Sequence, residues 1–251
     1  MTLRSAMHPA LTRTSHRPWP IPATPWKWRQ TWHDLLFAHW PIPAAAVRAL
    51  VPGWLDIHEY GGTTWVGLVP FRMTGVTLRH VPSLPVISHF PEMNLRLYVE
   101  RDGKPGIWFI SLDAARRSAV YAARVFAHLP YFFSRMSVTA EAAAIGYSSV
   151  RANGAVAFKA SYAPTGPVRE TKPGSLEHFL TERYCLYTQD QGGRRFRLEV
   201  HHQPWPLQSA EATFTTNRVA QPQGIEIPDT APLLYFSRKI EVIGWGLEQI
   251  L

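Results

Sequence analysis

The chain has 251 residues, of which 46% are hydrophobic, including ten Trp, twelve Phe and nine Tyr. That is enough apolar surface for one large packed domain, and 22 Pro and 16 Gly favour short segments over long helices. Residues 1–33 hold Arg4, Arg13, Arg17, Lys27 and Arg29 and no acid, so the formal charge of +8 leaves 21 basic against 18 acidic residues for the rest. This nearly balanced body, with only the short clusters Arg116-Arg117 and Arg194-Arg195-Arg197, excludes a nucleic-acid surface.

No run of about 18 apolar residues is present, which excludes a spanning helix, and no apolar stretch of signal-peptide length stands near the N-terminus. Cys185 is the single cysteine, so no internal disulfide forms, and a reducing cytoplasmic setting is expected. In the apolar run Arg-Tyr-Cys-Leu-Tyr it reads as a small buried hydrophobe.

Residues 1–25 are basic and rich in Pro, Ser and Thr, and read as an extended, poorly ordered arm. Trp26, Trp28 and Trp32 could dock it on a single domain formed by residues 26–251. Residues 34–40 (DLLFAHW) form a first strand, broken by Pro41-Ile42-Pro43. A short helix follows to Val51 with Pro43 in its first turn. Strands are expected at residues 55–60 and 64–73. The second is apolar on both faces and therefore central. Residues 75–91, with Pro82, Pro85 and Pro91, read as a loop.

The segment from Phe90 to Met136 carries the densest set of polar residues at positions where burial is expected. Met93, Leu95, Leu97 and Val99 point one way from a strand; Glu92, Asn94, Arg96 and Tyr98 point the other. Asp102-Gly103 and Lys104-Pro105-Gly106 turn the chain, and residues 107–113 return, ending at Asp113. From Ala115 to His128 the spacing is helical, with Arg117, Tyr121, Arg124 and His128 on one face; Pro130 stops it. Residues 138–150 fit helix or strand. Residues 155–162 are strand-like, and residues 175–183 form a short helix capped by Ser175. Residues 184–189 and 195–202 pair across Gly192-Gly193, and residues 233–243 are the last strand.

No G-x-S-x-G, H-E-x-x-H, Walker loop or C-x-x-C is present. Gly244-Trp245-Gly246 lies too near the chain end to open a dinucleotide-binding unit. The histidines His58, His80, His89, His201 and His202 show no recurring ligand spacing, so neither metal nor cofactor is expected. Glu92, Asn94 and Arg96 on one strand face suit a carbonyl or carboxylate ligand, with Arg96 as anion clamp and Glu92 as acid or base. An ordinary polar outer face is the alternative. Arg238 interrupts the apolar series Leu234, Phe236, Ile240 and Val242, and a charge there needs a partner or a ligand. Lys239 falls on the other face. His202 shares a face with Phe196, Leu198 and Val200, and so points inward.

Residues 90–99 (FPEMNLRLYV), 106–114 (GIWFISLDA), Ala123-Arg124, Leu129-Pro130-Tyr131, 176–184 (LEHFLTERY) and 201–207 (HHQPWPL) resemble the uncharacterised YqjF-like bacterial proteins. The match runs in order from about Trp26 to Gly246. That family is placed in the acetoacetate decarboxylase-like superfamily. The resemblance implies a closed, cone-like antiparallel β-barrel with a few short helices and an internal pocket. Acetoacetate decarboxylases form a Schiff base through one lysine of an adjacent pair. At the matching place stand Tyr131 and Phe132, neither of which forms an imine, and the superfamily's glutamate and arginine correspond to Glu92 and Arg96.

The expected site is therefore catalytic Glu92, Arg96 and Tyr131, with Asn94, Asp113, Arg124, His202, Arg238 and Lys239 as ligand-binding residues. Lys239 is also the one lysine with an adjacent cation, Arg238, and so a candidate for a relocated imine. The expected partner is a small molecule, which the protein either transforms without an imine or only binds; self-association is left open.

Overall fold

The computed structural model describes residues 7–83, 88–141 and 144–251. Pro85, within the expected loop, lies outside the described residues, as do parts of the arm and of the ambiguous segment 138–150. The strands are β1 (Trp28–Ile42), β2 (Asp56–Ile57), β3 (Thr64–Leu78), β4 (Phe90–Arg101), β5 (Lys104–Ala114), β6 (Tyr131–Glu141), β7 (Ala144–Arg151), β8 (Ala157–Arg169), β9 (Cys185–Gln189), β10 (Arg195–His201), β11 (Leu207–Arg218) and β12 (Leu233–Ile250). Among the described residues three short α-helices have defined bounds: α1 (Ala44–Val47), α2 (Arg117–Phe126) and α3 (Leu176–Thr181). The β-dominated α+β class expected from the proline and glycine content is what the chain adopts. No helix among the described residues is long and apolar enough to cross a membrane.

All twelve strands belong to one sheet. Its pairings run β4–β5–β9–β10–β12–β1–β3 and return to β4. A second path leaves β5 through β6, β7, β8 and β11 and rejoins β12. The expectation of a wholly antiparallel sheet needs correction at two places: β5 pairs parallel with β6 and with β9. In each case the chain leaves β5 and returns beside it after a helix (α2 or α3), the kind of connection that parallel neighbours need.

Two packed cores result. Met93, Leu95, Leu97 and Val99 of β4 join Leu36, Ala38, Leu68 and Phe236 in one. Leu35, Phe37, Val69, Phe71 and Trp205 belong to the other. The central β3 and β4 are thus covered on both sides, as the two-sided apolar pattern of β3 requires.

The face that β1 shows to each core changes at Asp34. Trp32 packs with the second core, as do Leu35 and Phe37, although strand alternation would put Trp32 and Leu35 on opposite faces. Between His33 and Ala38 β1 advances five residues while β3 advances four, from Arg72 to Leu68. This extra residue is a β-bulge. Asp34 has φ of 53°, a left-handed conformation that Asp tolerates better than most residues. Arg72 of β3 donates to Asp34 through both Nε and Nη2, and Arg238 of β12 donates to Asp34 Oδ1 at 2.9 Å. One carboxylate thereby ties the bulge to both neighbouring strands, and Tyr162 adds a bond to the Asp34 carbonyl at 2.8 Å.

The strand β11 was not foreseen. Its intermediate and exposed residues alternate along nearly its whole length, and Ala210, Ala212 and Phe214 offer only a small apolar face to the first core. Residues 7–25 run over the outside of β10 and make specific contacts that a loosely held arm would not. Arg17 is buried, donating to Glu199 at 2.8 Å and to the Val200 carbonyl, and His16 bonds the His202 carbonyl at 2.9 Å.

Replacing Asp34 with Ala leaves two guanidiniums unpaired and puts a Cβ-only side chain at positive φ. The expected result is a loss of about 2 kcal/mol of unfolding free energy in denaturant titration; Asp34→Asn, which tolerates the same φ, should lose less.

Candidate functional site

Between the second core and β10 lies an internal cavity of about 390 Å³. Strands β1, β3, β4, β5, β6, β9 and β10 contribute to its wall, together with the segment that follows α3 and the loop that follows β10. Most of the wall is apolar: Trp32, Leu35, Val69, Phe71, Ile107, Leu112 and Trp205 are among its residues. The polar exceptions are few and mostly buried, and three of them come from alternate positions of β4: Glu92, Asn94 and Arg96.

Glu92 is buried and accepts a hydrogen bond from Tyr131 Oη at 2.9 Å. Burial pushes its carboxyl up to about 8, the nearby Asp113 charge adding to the effect against the Tyr131 hydrogen bond. At neutral pH Glu92 is thus mostly neutral, with a proton to donate. Tyr131 is held well above its ordinary range by burial and by the adjacent Glu92, and stays a hydrogen-bond donor. Asn94 Oδ1 is buried and has no partner among the described residues.

Arg96 lies across from Gly67, where an added Cβ would approach its Cγ and Nε to 3.2 Å and His39 to 3.1 Å. Only glycine leaves space for that guanidinium against β3. Arg96 Nη2 donates to the Leu180 carbonyl at 3.0 Å and to Tyr98 Oη at 3.2 Å. Arg183 stands close by, on the segment between α3 and β9. It donates Nε to the Phe179 carbonyl at 2.8 Å and pairs Nη1 with His58 Nδ1 at 2.9 Å. Burial lowers Arg183 to about 10, with Arg96 adding to the effect, so it remains charged at neutral pH. Neither arginine has a carboxylate within ion-pair distance among the described residues. Arg96 Nε and Arg183 Nη2 are buried without any partner, and so are the indole nitrogens of Trp32 and Trp205. Two cationic residues therefore line the cavity, and four buried donors of its lining residues lack a partner among the described residues, chemistry that suits an anion.

His202, just past the end of β10, also lines the cavity, as the inward series of that strand required. Burial lowers it to about 4, and its Nδ1 bonds the Gln203 carbonyl at 2.7 Å. It is a neutral wall residue. Its neighbour His201 faces outward under the arm, bonded to the Ala10 carbonyl at 2.8 Å.

The other expected site residues do not reach the cavity. Asp113 is wholly buried on the opposite face of β5, where Arg151 grips it through Nε (2.6 Å) and Nη2 (2.8 Å) and Ser134 donates at 2.6 Å. Arg124 is exposed on α2 and borders a separate open groove of about 900 Å³ with His128 and Arg194. Arg238 is more than half exposed and holds Asp34. Its expected apolar neighbours are divided between the two cores, Phe236 in one and Ile240 in the other. The β12 alternation thus shifts phase opposite the Asp34 bulge, which places Arg238 and Lys239 outside. Lys239 lies 3.5 Å from Glu241. No lysine lines the cavity.

Arg183, Thr181 and the two tryptophans were missed. The only sequence signal for Arg183 was its place in Glu182-Arg183-Tyr184, a charge between a helix and an apolar strand.

This arrangement of sheet, helices and internal cavity belongs to the acetoacetate decarboxylase-like fold. Acetoacetate decarboxylase from Legionella pneumophila superimposes with a TM-score of 0.64 at 11% identity, over 94% of this chain and 93% of that one. The enduracididine biosynthesis enzyme MppR, in complex with pyruvate, gives 0.62 at 13% identity over 90% and 91%. An acetoacetate decarboxylase-like enzyme from Sphingomonas wittichii RW1 gives 0.61 at 13% over 91% and 94%. At the level of sequence, the profile of DUF2071, described as an uncharacterized conserved protein, matches residues 29–241. The uncharacterized protein YqjF of Bacillus subtilis (strain 168) is 44% identical over 230 residues, 91% of this chain and 95% of YqjF. The chain belongs to the DUF2071 family.

The Glu92 carboxyl gives a pH signature. Below about pH 4.5, its ordinary value, folded and unfolded chains both hold the proton. From there to about 8 only the folded chain holds it, so stability falls as pH rises. Relative to the parent, Glu92→Gln should gain on the order of 4 kcal/mol between pH 4.5 and 8. Denaturant titrations of both proteins across that range check this; a constant difference contradicts the assignment.

Proposed function

We propose that the internal cavity binds a small organic carboxylate that also carries a carbonyl group. The observation that carries this reading is the pair Arg96 and Arg183: two buried guanidiniums, each with a donor that lacks a partner and neither with a carboxylate in ion-pair distance among the described residues, Glu100 reaching Arg183 only through His58. An anionic ligand supplies the missing charge. Glu92 and Tyr131 then address the carbonyl. Neutral Glu92 donates to the carbonyl oxygen, and its second carboxyl oxygen accepts from Tyr131. In an acid whose carboxylate sits one carbon beyond the carbonyl, this polarises the carbonyl for loss of CO2: the electron pair of the breaking C–CO2 bond forms the enol, the Glu92 proton goes to the carbonyl oxygen, and CO2 leaves. The circuit of strands around the ligand is read as a closed, cone-like barrel. The likeness in fold to MppR, whose structure was determined with pyruvate, supports the ligand class.

The reading uses no imine; Tyr131 beside Glu92 and the lack of any of the five lysines among the lining residues support that. The same observation favours a second reading, binding without turnover, in which Glu92 and Tyr131 only orient the ligand. A thiol buried and raised to about 12 at Cys185 fits a reducing compartment, and the cytoplasm is the proposed location.

Calorimetric titration with 2-oxo acids tests the proposal. The parent protein should bind them, and Arg96→Met and Arg183→Met should each weaken binding by roughly ten- to a hundredfold, the worth of a charged hydrogen-bonded contact. Binding that ignores both arginines contradicts it. Borohydride added with pyruvate should leave the mass of the chain unchanged; a trapped adduct on any lysine, Lys239 included, would restore the imine route. Turnover of a bound acid that disappears in Glu92→Gln selects the catalytic reading over the binding one.

A further inference from the structure

The polar groups of the cavity are not scattered along it. Register orders them. On the β3–β4 ladder Phe71 stands opposite Glu92 and Gly67 opposite Arg96, so the Glu92 and Arg96 backbones are about 13 Å apart along the strand. Arg96 leans further from Glu92, toward Tyr98 and the Leu180 carbonyl. In the other direction β3 runs on to Leu78, which pairs with Trp28. Both Leu78 and Trp28 line the same cavity.

Exposure follows the same order. Arg96 and Arg183 are 8% and 6% exposed, whereas Leu78 is 62% exposed. The cavity therefore has a closed end that carries charge and an open end that carries little. Trp28, Val76, Leu78 and Leu129 line the open end, with Gln30 and Thr77 as its polar members. Phe126, beside the lining residue Ala127, is 74% exposed. A volume of about 390 Å³ is in the range that encloses a ligand of drug size. A three-carbon acid clamped at Arg96 and Arg183 would leave most of the apolar wall bare.

We infer that the natural ligand is an amphipathic carboxylate, an acid with an extended alkyl or aryl group, bound head first: carboxylate at Arg96 and Arg183, carbonyl facing Glu92, and apolar body against Trp32, Phe71 and Trp205, its tail passing Tyr131 toward Leu129 and the open end. This rests on the carboxylate reading above and adds ligand length and direction to it.

The test is titration of the full chain with pyruvate and with straight-chain 2-oxo acids of six, eight and ten carbons. Affinity should climb about fourfold per added methylene. Leu129→Glu places a charge at a half-buried wall position two residues from Tyr131, and should shrink the ratio of ten-carbon to three-carbon affinity at least tenfold, with an unchanged three-carbon affinity showing that the fold is intact. Equal affinities along the series, still lost in Arg96→Met, overturn the amphipathic assignment and leave the carboxylate reading standing. If the primary amides of the same acids bind as well as the acids, the carboxylate reading itself fails. A steep series whose ratio Leu129→Glu does not change overturns the direction, because the tail then does not run past Tyr131 toward the open end.

Discussion

Two guanidiniums taken out of water set the terms for the rest of the structure. Moving a charge into a protein interior costs several kcal/mol even after relaxation, and the cost is met only where other groups satisfy it. Arg96 and Arg183 are satisfied in part by the carbonyls of Leu180 and Phe179, both at or beside α3, and by Tyr98 and His58. Aromatic faces complete the enclosure: the Arg183 guanidinium sits 4.4 Å from the Phe179 ring centre and Arg96 5.4 Å from that of Phe37. The short helix α3 is thereby tied to β4 by charge as well as by packing, and Tyr98 links both arginines to His39. Among the described residues no carboxylate lies within ion-pair distance of either, and Glu100 reaches Arg183 only through His58. Glu92, on the same strand face, stays neutral because its environment is drier than Arg96 is near.

That neutrality separates two roles along one strand. A carboxylate paired with Arg96 would have been a structural ion pair, as Asp113 is with Arg151. Both carboxylates are buried and stand on adjacent strands, β4 and β5, yet one is gripped by a guanidinium and the other by a phenol. The first is spent on holding β5 to β7, while the second keeps a proton available. Tyr131 fills the space beside Glu92 with a hydrogen-bond donor, a phenol that forms no imine. Phe132, next to it, is on the outer side, stacked 3.9 Å from the Arg151 guanidinium.

The part of the site legible in the sequence is the part carried by strict alternation. Glu92, Asn94 and Arg96 could be placed on one face because β4 is unbroken on that stretch, and Leu198 and Val200 of β10, with His202 just past its end, for the same reason. The part that was not legible depends on departures from alternation or on distant pairing. A single extra residue at Asp34 changes the phase of β1 and, opposite it, of β12, so that Arg238 and Lys239 face solvent although the apolar series around them suggested otherwise. Asp113 looked available because its partner Arg151 comes from a strand 38 residues away. Arg183 carries no periodic signature at all, since it lies in a connection whose course is decided by tertiary contacts. The hairpins at Gly103 and Gly193 were readable from turn chemistry, whereas β11, with small residues on its inner face, offered too little contrast between its two sides.

The account stands most directly on where a bound acid places its two ends. A crystal structure of the protein with 4-phenyl-2-oxobutanoate gives that answer in one observation. The carboxylate is predicted within hydrogen-bond distance of Arg96 Nε and Arg183 Nη2, the keto oxygen at Glu92, and the ring past Tyr131 toward Leu129. A carboxylate found at the open end, or a ligand seated in the outer groove beside Arg124, contradicts it.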